Sequence, residues 1–134
     1  MAEPELHGAL VILVVEDEFL VRQAIAEHLR EAGCVVLEAG TGEQALAICE
    51  SRTAVDVLFT DVHLNGAASG WEVAEKFRAA RNDIPVVYAS GNRHDHARCV
   101  PDSVWVDKPY RPGEILRTCR RLKTRLETRD ALHP

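Results

Sequence analysis

The sequence predicts an α/β protein: a doubly wound, five-stranded parallel sheet with helices on both faces. Three observations lead there. Five short apolar runs rich in Val, Ile, Leu and aromatic residues recur along the chain. They are continuous rather than alternating, as in strands covered on both faces. Helical patterns separate them, and right-handed crossovers then distribute those helices over both faces of the sheet.

The first run is LVILVV (10–15), followed from Phe19 to Ala32 by Val21, Ile25 and Leu29 at four-residue spacing, with Gly33 where a C-terminal cap belongs. The second is CVVLEA (34–39). After it, Thr41 and Gln44 are spaced as a capping box, with Ala45, Ile48 and Cys49 as the inner stripe. The third is VDVLF (55–59). Ser69 and Glu72 repeat the capping device, ahead of Val73, Phe77 and Ala80. The fourth is IPVVYA (84–89). The stretch after it, GNRHDHARCVPD (91–102), has no apolar period and an early proline, and predicts only a short, weakly held helix. The fifth is SVWVD (103–107). A last helix opens near Pro112, a favoured first-turn residue, and carries Ile115, Leu116, Cys119, Leu122 and Leu126 on one stripe. Residues 1–9 form a leader, 10–127 one domain, and 128–134 a tail.

At 134 residues the chain supports a single core without disulfides or structural metal. Its formal charge of −5 argues against nucleic acid as the main partner, because phosphate neutralisation needs a basic face. Cys34, Cys49, Cys99 and Cys119 lie far apart with no C-x-x-C pair, which fits a reduced cytoplasmic protein and disfavours zinc. The run at 9–15 follows an acidic leader and ends in EDE, unlike a signal peptide. No segment reaches the ~20 apolar residues of a membrane span. His94 and His96 read as solvated loop residues, and Arg117, Arg120, Arg121 and Arg125 as a solvated helix face.

Ligands of such sheets bind outside the carboxyl ends of the strands. There the sequence places Glu16, Asp17 and Glu18 after the first run, Asp61 after the third, Ser90 after the fourth and Lys108 after the fifth. So many carboxylates cannot all stay ionised at close range without a cation, and Lys108 supplies a single charge. A hard divalent ion with oxygen ligands fits, Mg²⁺ best of all. With it, Asp61 can act as a nucleophile toward phosphorus, while Ser90 and Lys108 hold phosphoryl oxygens.

From about Leu10 to Leu126 the chain resembles a two-component response-regulator receiver domain, the CheY-like group of flavodoxin-like folds. ILVVEDE, VLFTD, VVYAS and WVDKPY carry the resemblance, in order and each at a strand end. It implies strand order 2-1-3-4-5. It further implies Asp61 as phosphoacceptor for a histidine kinase or phosphotransfer protein, with Mg²⁺ on Asp17, on Glu16 through water, and on the His63 backbone carbonyl. Ser90 becomes the switch hydroxyl, Lys108 the phosphate's partner and Trp105 the aromatic switch. Such a protein is a phosphoacceptor rather than a turnover enzyme. Two departures stand out: Glu16 replaces the commoner aspartate, and the loop HLNGAASG after Asp61 is one residue longer and lacks the usual methionine-proline. YASGNR partly resembles the FATG-x-Y signature of an alphaproteobacterial subgroup.

The few residues after the last helix leave no room for an output domain, so signalling would run through protein contacts on the fourth-helix, fifth-strand, fifth-helix face. Movement of Ser90 would drag the weak 91–102 segment with it. The alternatives are a degenerate, phosphorylation-independent receiver and a receiver cut from a hybrid kinase. An aspartyl-phosphate phosphatase would need D-x-D-x-[TV] after the first strand, where EDEFL stands, and a flavin carrier would need a phosphate loop free of acids there.

Overall fold

A computed structural model describes residues 8–91 and 98–132, with side chains to Arg129. Strands β1 (Val11–Val15), β2 (Val35–Ala39), β3 (Val57–Asp61), β4 (Val86–Ser90) and β5 (Val104–Asp107) form one sheet. The helices among the described residues are α1 (Phe19–Glu31), α2 (Gly42–Glu50), α3 (Gly70–Ala80) and α4 (Pro112–Leu132). Every strand pair is parallel and the order is β2-β1-β3-β4-β5, as the resemblance implies.

Strand side chains alternate between two cores. Ile12, Val14, Val57, Phe59 and Val87 meet Ile25 and Leu29 of α1 and Ile115, Cys119 and Leu122 of α4. Leu13, Val15, Leu58, Val86 and Tyr88 meet Ala45 of α2 and Trp71, Val73 and Phe77 of α3. The three central strands bury nearly every residue, which is why their sequences read as unbroken apolar runs. At the sheet edge, β2 departs from that pattern. Val35 is 47% exposed, and Glu38 pairs with Arg22 and Arg30 at 3.2 and 3.0 Å.

Local signals set the helix ends. Gly33, at φ +95°, turns the chain after α1, and the Cys34 N–H closes back on the Leu29 carbonyl at 3.0 Å. Ser69 and Glu72 form the reciprocal capping box of α3. At α2 only half of the expected box forms: Thr41 Oγ1 accepts from the Gln44 N–H, while Gln44 Oε1 accepts from Gly40 instead. The inner stripe of α3 also differs from expectation. Ala80 is exposed, and Trp71 and Ala74 take the buried positions. The stripe predicted for the last helix is buried throughout, and α4 runs beyond residue 127 to Leu132. Of residues 91–102, where the weak helix was expected, 92–97 with the His94–His96 pair lie outside the described residues, as do 1–7 of the leader.

Candidate functional site: an acidic rim facing a lysine

The site lies at the carboxyl ends of β1, β3, β4 and β5, beside the point where the chain turns from β1 outward in both directions. Asp61 is the last residue of β3 rather than the first loop residue, so strand hydrogen bonds fix its backbone. Its carboxylate is buried at 3% residue exposure. Lys108, just past β5, donates from Nζ to Asp61 Oδ2 at 2.8 Å. The Lys108 backbone N–H donates to the Ser90 carbonyl at 3.2 Å, which ties the two strand ends together.

Glu16, Asp17 and Asp61 each present a carboxylate oxygen within 4.8 Å of the others'. Glu16 is 1% exposed. Burial, with repulsion from Asp61 and despite the hydrogen bond from Glu18 N–H, pushes its carboxyl up to about 7. Burial alone would lower the Lys108 ammonium. The hydrogen bond to Asp61 and the charges of Asp61, Glu16 and Glu18 outweigh it and raise the pKa. The cluster therefore carries more negative charge than its one ammonium offsets. An all-oxygen donor set of this kind suits a hard divalent ion such as Mg²⁺.

Each expected site residue can be placed. Ser90 ends β4 with 1% exposure. The side chain of His63 is exposed, and its N–H points toward Asp61 Oδ1 at 3.4 Å. Trp105, on β5, lies in an aromatic cluster: its ring centroid is 5.3 Å from Tyr88 and 5.6 Å from Trp71. Its Nε1–H points at Cys99 Sγ, 2.9 Å away.

Three contacts at the rim were not foreseen. Tyr110 donates from its hydroxyl to Glu16 Oε1 at 3.4 Å and sets its ring edge-on to Phe59 at 5.7 Å. Arg22 donates to the Glu16 carbonyl at 2.8 Å. The Asn65 N–H donates to Asp17 Oδ2 at 3.0 Å. Tyr110 directly follows the lysine-proline pair, so its place at the same strand end was the available signal. Nothing local marks Arg22 or Asn65.

The fold and this rim define a class: a doubly wound α/β protein with a strand-end carboxylate held between an acidic pair and a lysine. The chain belongs to the response regulator receiver domain family, whose model matches residues 12–120. It is 30% identical over 131 residues to the sensor kinase CckA of Brucella abortus, covering 94% of this chain and 13% of that protein. Among solved structures it is similar to a response regulator receiver protein from Sinorhizobium medicae, with TM-score 0.82, 28% identity and coverage of 87% and 95% of the two chains. The response regulator TrrA of Thermotoga maritima, in complex with Mg²⁺-BeF, gives TM-score 0.73 at 29% identity, over 84% and 98%. Of three curated relatives it matches, the chain spans between 13% and 48% of the length.

Proposed function

We propose that the chain is the phosphoacceptor receiver of a two-component pathway, with Asp61 taking a phosphoryl group from the phosphohistidine of a kinase or phosphotransfer protein. One observation carries the reading: Asp61 is buried at a strand end with the Lys108 ammonium at 2.8 Å and two further carboxylates close by.

Strand pairing holds the Asp61 carboxylate in a fixed direction, as an attacking oxygen requires. Lys108 would exchange its present partner for a phosphoryl oxygen, meeting part of the −1.5 to −2 charges that a phosphoryl group adds at about neutral pH. The Ser90 hydroxyl, one strand over, would take another oxygen. Glu16, Asp17, Asp61 and the His63 backbone carbonyl would hold Mg²⁺. When bound, that ion would neutralise charge on the transferring group. The chain would act as a signalling module rather than as a turnover enzyme. It would work in the cytoplasm through protein contacts beside β5 and α4. Among the described residues no helix is long and apolar enough to cross a membrane.

A crystal grown with Mg²⁺ and beryllofluoride tests the reading. Beryllium bonded to an Asp61 carboxylate oxygen, with the ion against Asp17, is the expected result. Beryllofluoride absent from Asp61 in a crystal that shows the ion bound would overturn it.

A further inference from the structure

The loop from Val62 to Ser69 joins the strand that carries Asp61 to α3, and nothing in its own sequence stiffens it: it contains no proline. It is instead gripped from outside. Glu43, in the first turn of α2, places Oε2 2.9 Å from the Ala67 nitrogen and 3.2 Å from the Ala68 nitrogen, accepting both N–H groups. The loop bends over this carboxylate through Gly66 at φ +100°, and a Cβ there would stand 3.0 Å from Glu43 Oε1. Beside it, Gly42 lies so close to Ala68 that an added Cβ would come within 2.5 Å of the Ala68 carbonyl oxygen. The start of α2 and the end of the loop are thus pressed together, and Glu43 is the polar half of that junction. The N–H of Glu43 itself, joined by these two N–H groups, holds its carboxyl below the usual range.

Two residues before the grip, the Asn65 N–H reaches Asp17 Oδ2, and two residues before that the His63 N–H faces Asp61. Fixing Ala67 and Ala68 therefore fixes the backbone that overlies the acidic rim. We infer that Glu43 is a positioning residue of the phosphoacceptor site: it holds the 62–69 loop over Asp61 and so limits the access of water to an aspartyl phosphate. This rests on the proposed phosphoacceptor role. In the step it restrains, a water oxygen bonds to phosphorus, and the bond from phosphorus to the Asp61 carboxyl oxygen breaks with its electron pair on the carboxylate. A water proton passes to solvent, leaving inorganic phosphate.

The lifetime of the adduct, formed with acetyl phosphate and Mg²⁺ and followed by intact mass after donor removal, is the readout. Glu43→Ala should shorten it by roughly three- to tenfold, since loop order governs solvent exclusion. Glu43→Gln, which keeps an acceptor oxygen, should restore it to within about twofold, as a neutral acceptor still binds N–H groups. Lys123→Ala, which breaks an ion pair with Asp56 away from the rim, should leave it unchanged. In the unphosphorylated protein, amide hydrogen exchange at Asn65, Ala67 and Ala68 should quicken in Glu43→Ala and not in Glu43→Gln. A normal lifetime in Glu43→Ala, or equal losses in both Glu43 variants, would overturn the inference while leaving the phosphoacceptor reading intact. A wild-type protein that takes no adduct would overturn both.

Discussion

Gly70 gives the sharpest structural test, because it joins α3 to the strand end that bears Asp61. A Cβ built there would sit 2.1 Å from the Asp61 carbonyl oxygen and 2.9 Å from the Val62 Cα, against ordinary contact from 3.4 Å. Both obstacles are backbone, so no side-chain rotation relieves them. The start of α3 must retreat by about 1 Å, stretching the 2.9 Å hydrogen bond from the Gly70 N–H to the Val62 carbonyl. Such overpacking costs about 1–3 kcal/mol, and a weakened buried hydrogen bond adds about 1 kcal/mol. The better helix propensity of alanine returns at most about 1 kcal/mol. Gly70→Ala should therefore lose about 2 kcal/mol, or roughly 6–10 °C in Tm for a domain of this size. Thermal and urea unfolding by circular dichroism measure it. Gly113→Ala is the control, because its nearest neighbours are flexible side-chain ends at 3.5 and 3.7 Å, and it should be neutral or slightly stabilising. If Gly70→Ala were as stable as the wild type, the contact between α3 and the end of β3 would not be as described.

Other consequences follow from single contacts. Tyr88→Phe removes the hydroxyl that accepts the buried Val100 N–H at 3.1 Å, and urea unfolding should show a loss of about 1–2 kcal/mol. In EDTA, Glu16 binds its proton up to about pH 7 when folded, against 4.5 ordinarily. The folded state then holds more protons across that window, so the Glu16 contribution to stability is fully present below pH 4.5 and is lost toward pH 7, by at most about 3 kcal/mol. Glu16→Gln should flatten that slope in Tm measured against pH. At pH 7.5, Mg²⁺ at about 100 times its dissociation constant should stabilise the wild type by about 2.7 kcal/mol. Asp17→Asn should lose most of that gain in the same melt.

The sheet was legible because its strands are covered on both faces, which writes burial directly into runs of Val, Ile and Leu. The edge strands depart from this: β2 carries Glu38 and an exposed Val35, and β5 buries Val106 alone, because an edge strand need not bury every side chain. Rim residues were legible from their places at strand ends, which topology brings together. What escaped the sequence depends on approach between distant segments. Tyr110 meets Glu16 across 94 residues and Glu43 meets Ala67 across 24, and neither pairing has a local pattern. Gly42 and Gly70 each directly follow a helix cap, Thr41 and Ser69. That each leaves no room for a side chain is a property of the neighbouring backbone, which no local window contains.

The central claim is that Asp61 is the atom-level acceptor of a phosphoryl group, made competent by its acidic neighbours and Lys108. Intact mass after incubation with Mg²⁺ and acetyl phosphate tests it most directly, comparing the wild type with Asp61→Asn. One phosphoryl adduct in the wild type and none in Asp61→Asn is the result this account requires. An adduct of equal yield in both proteins, or none in either, would contradict it.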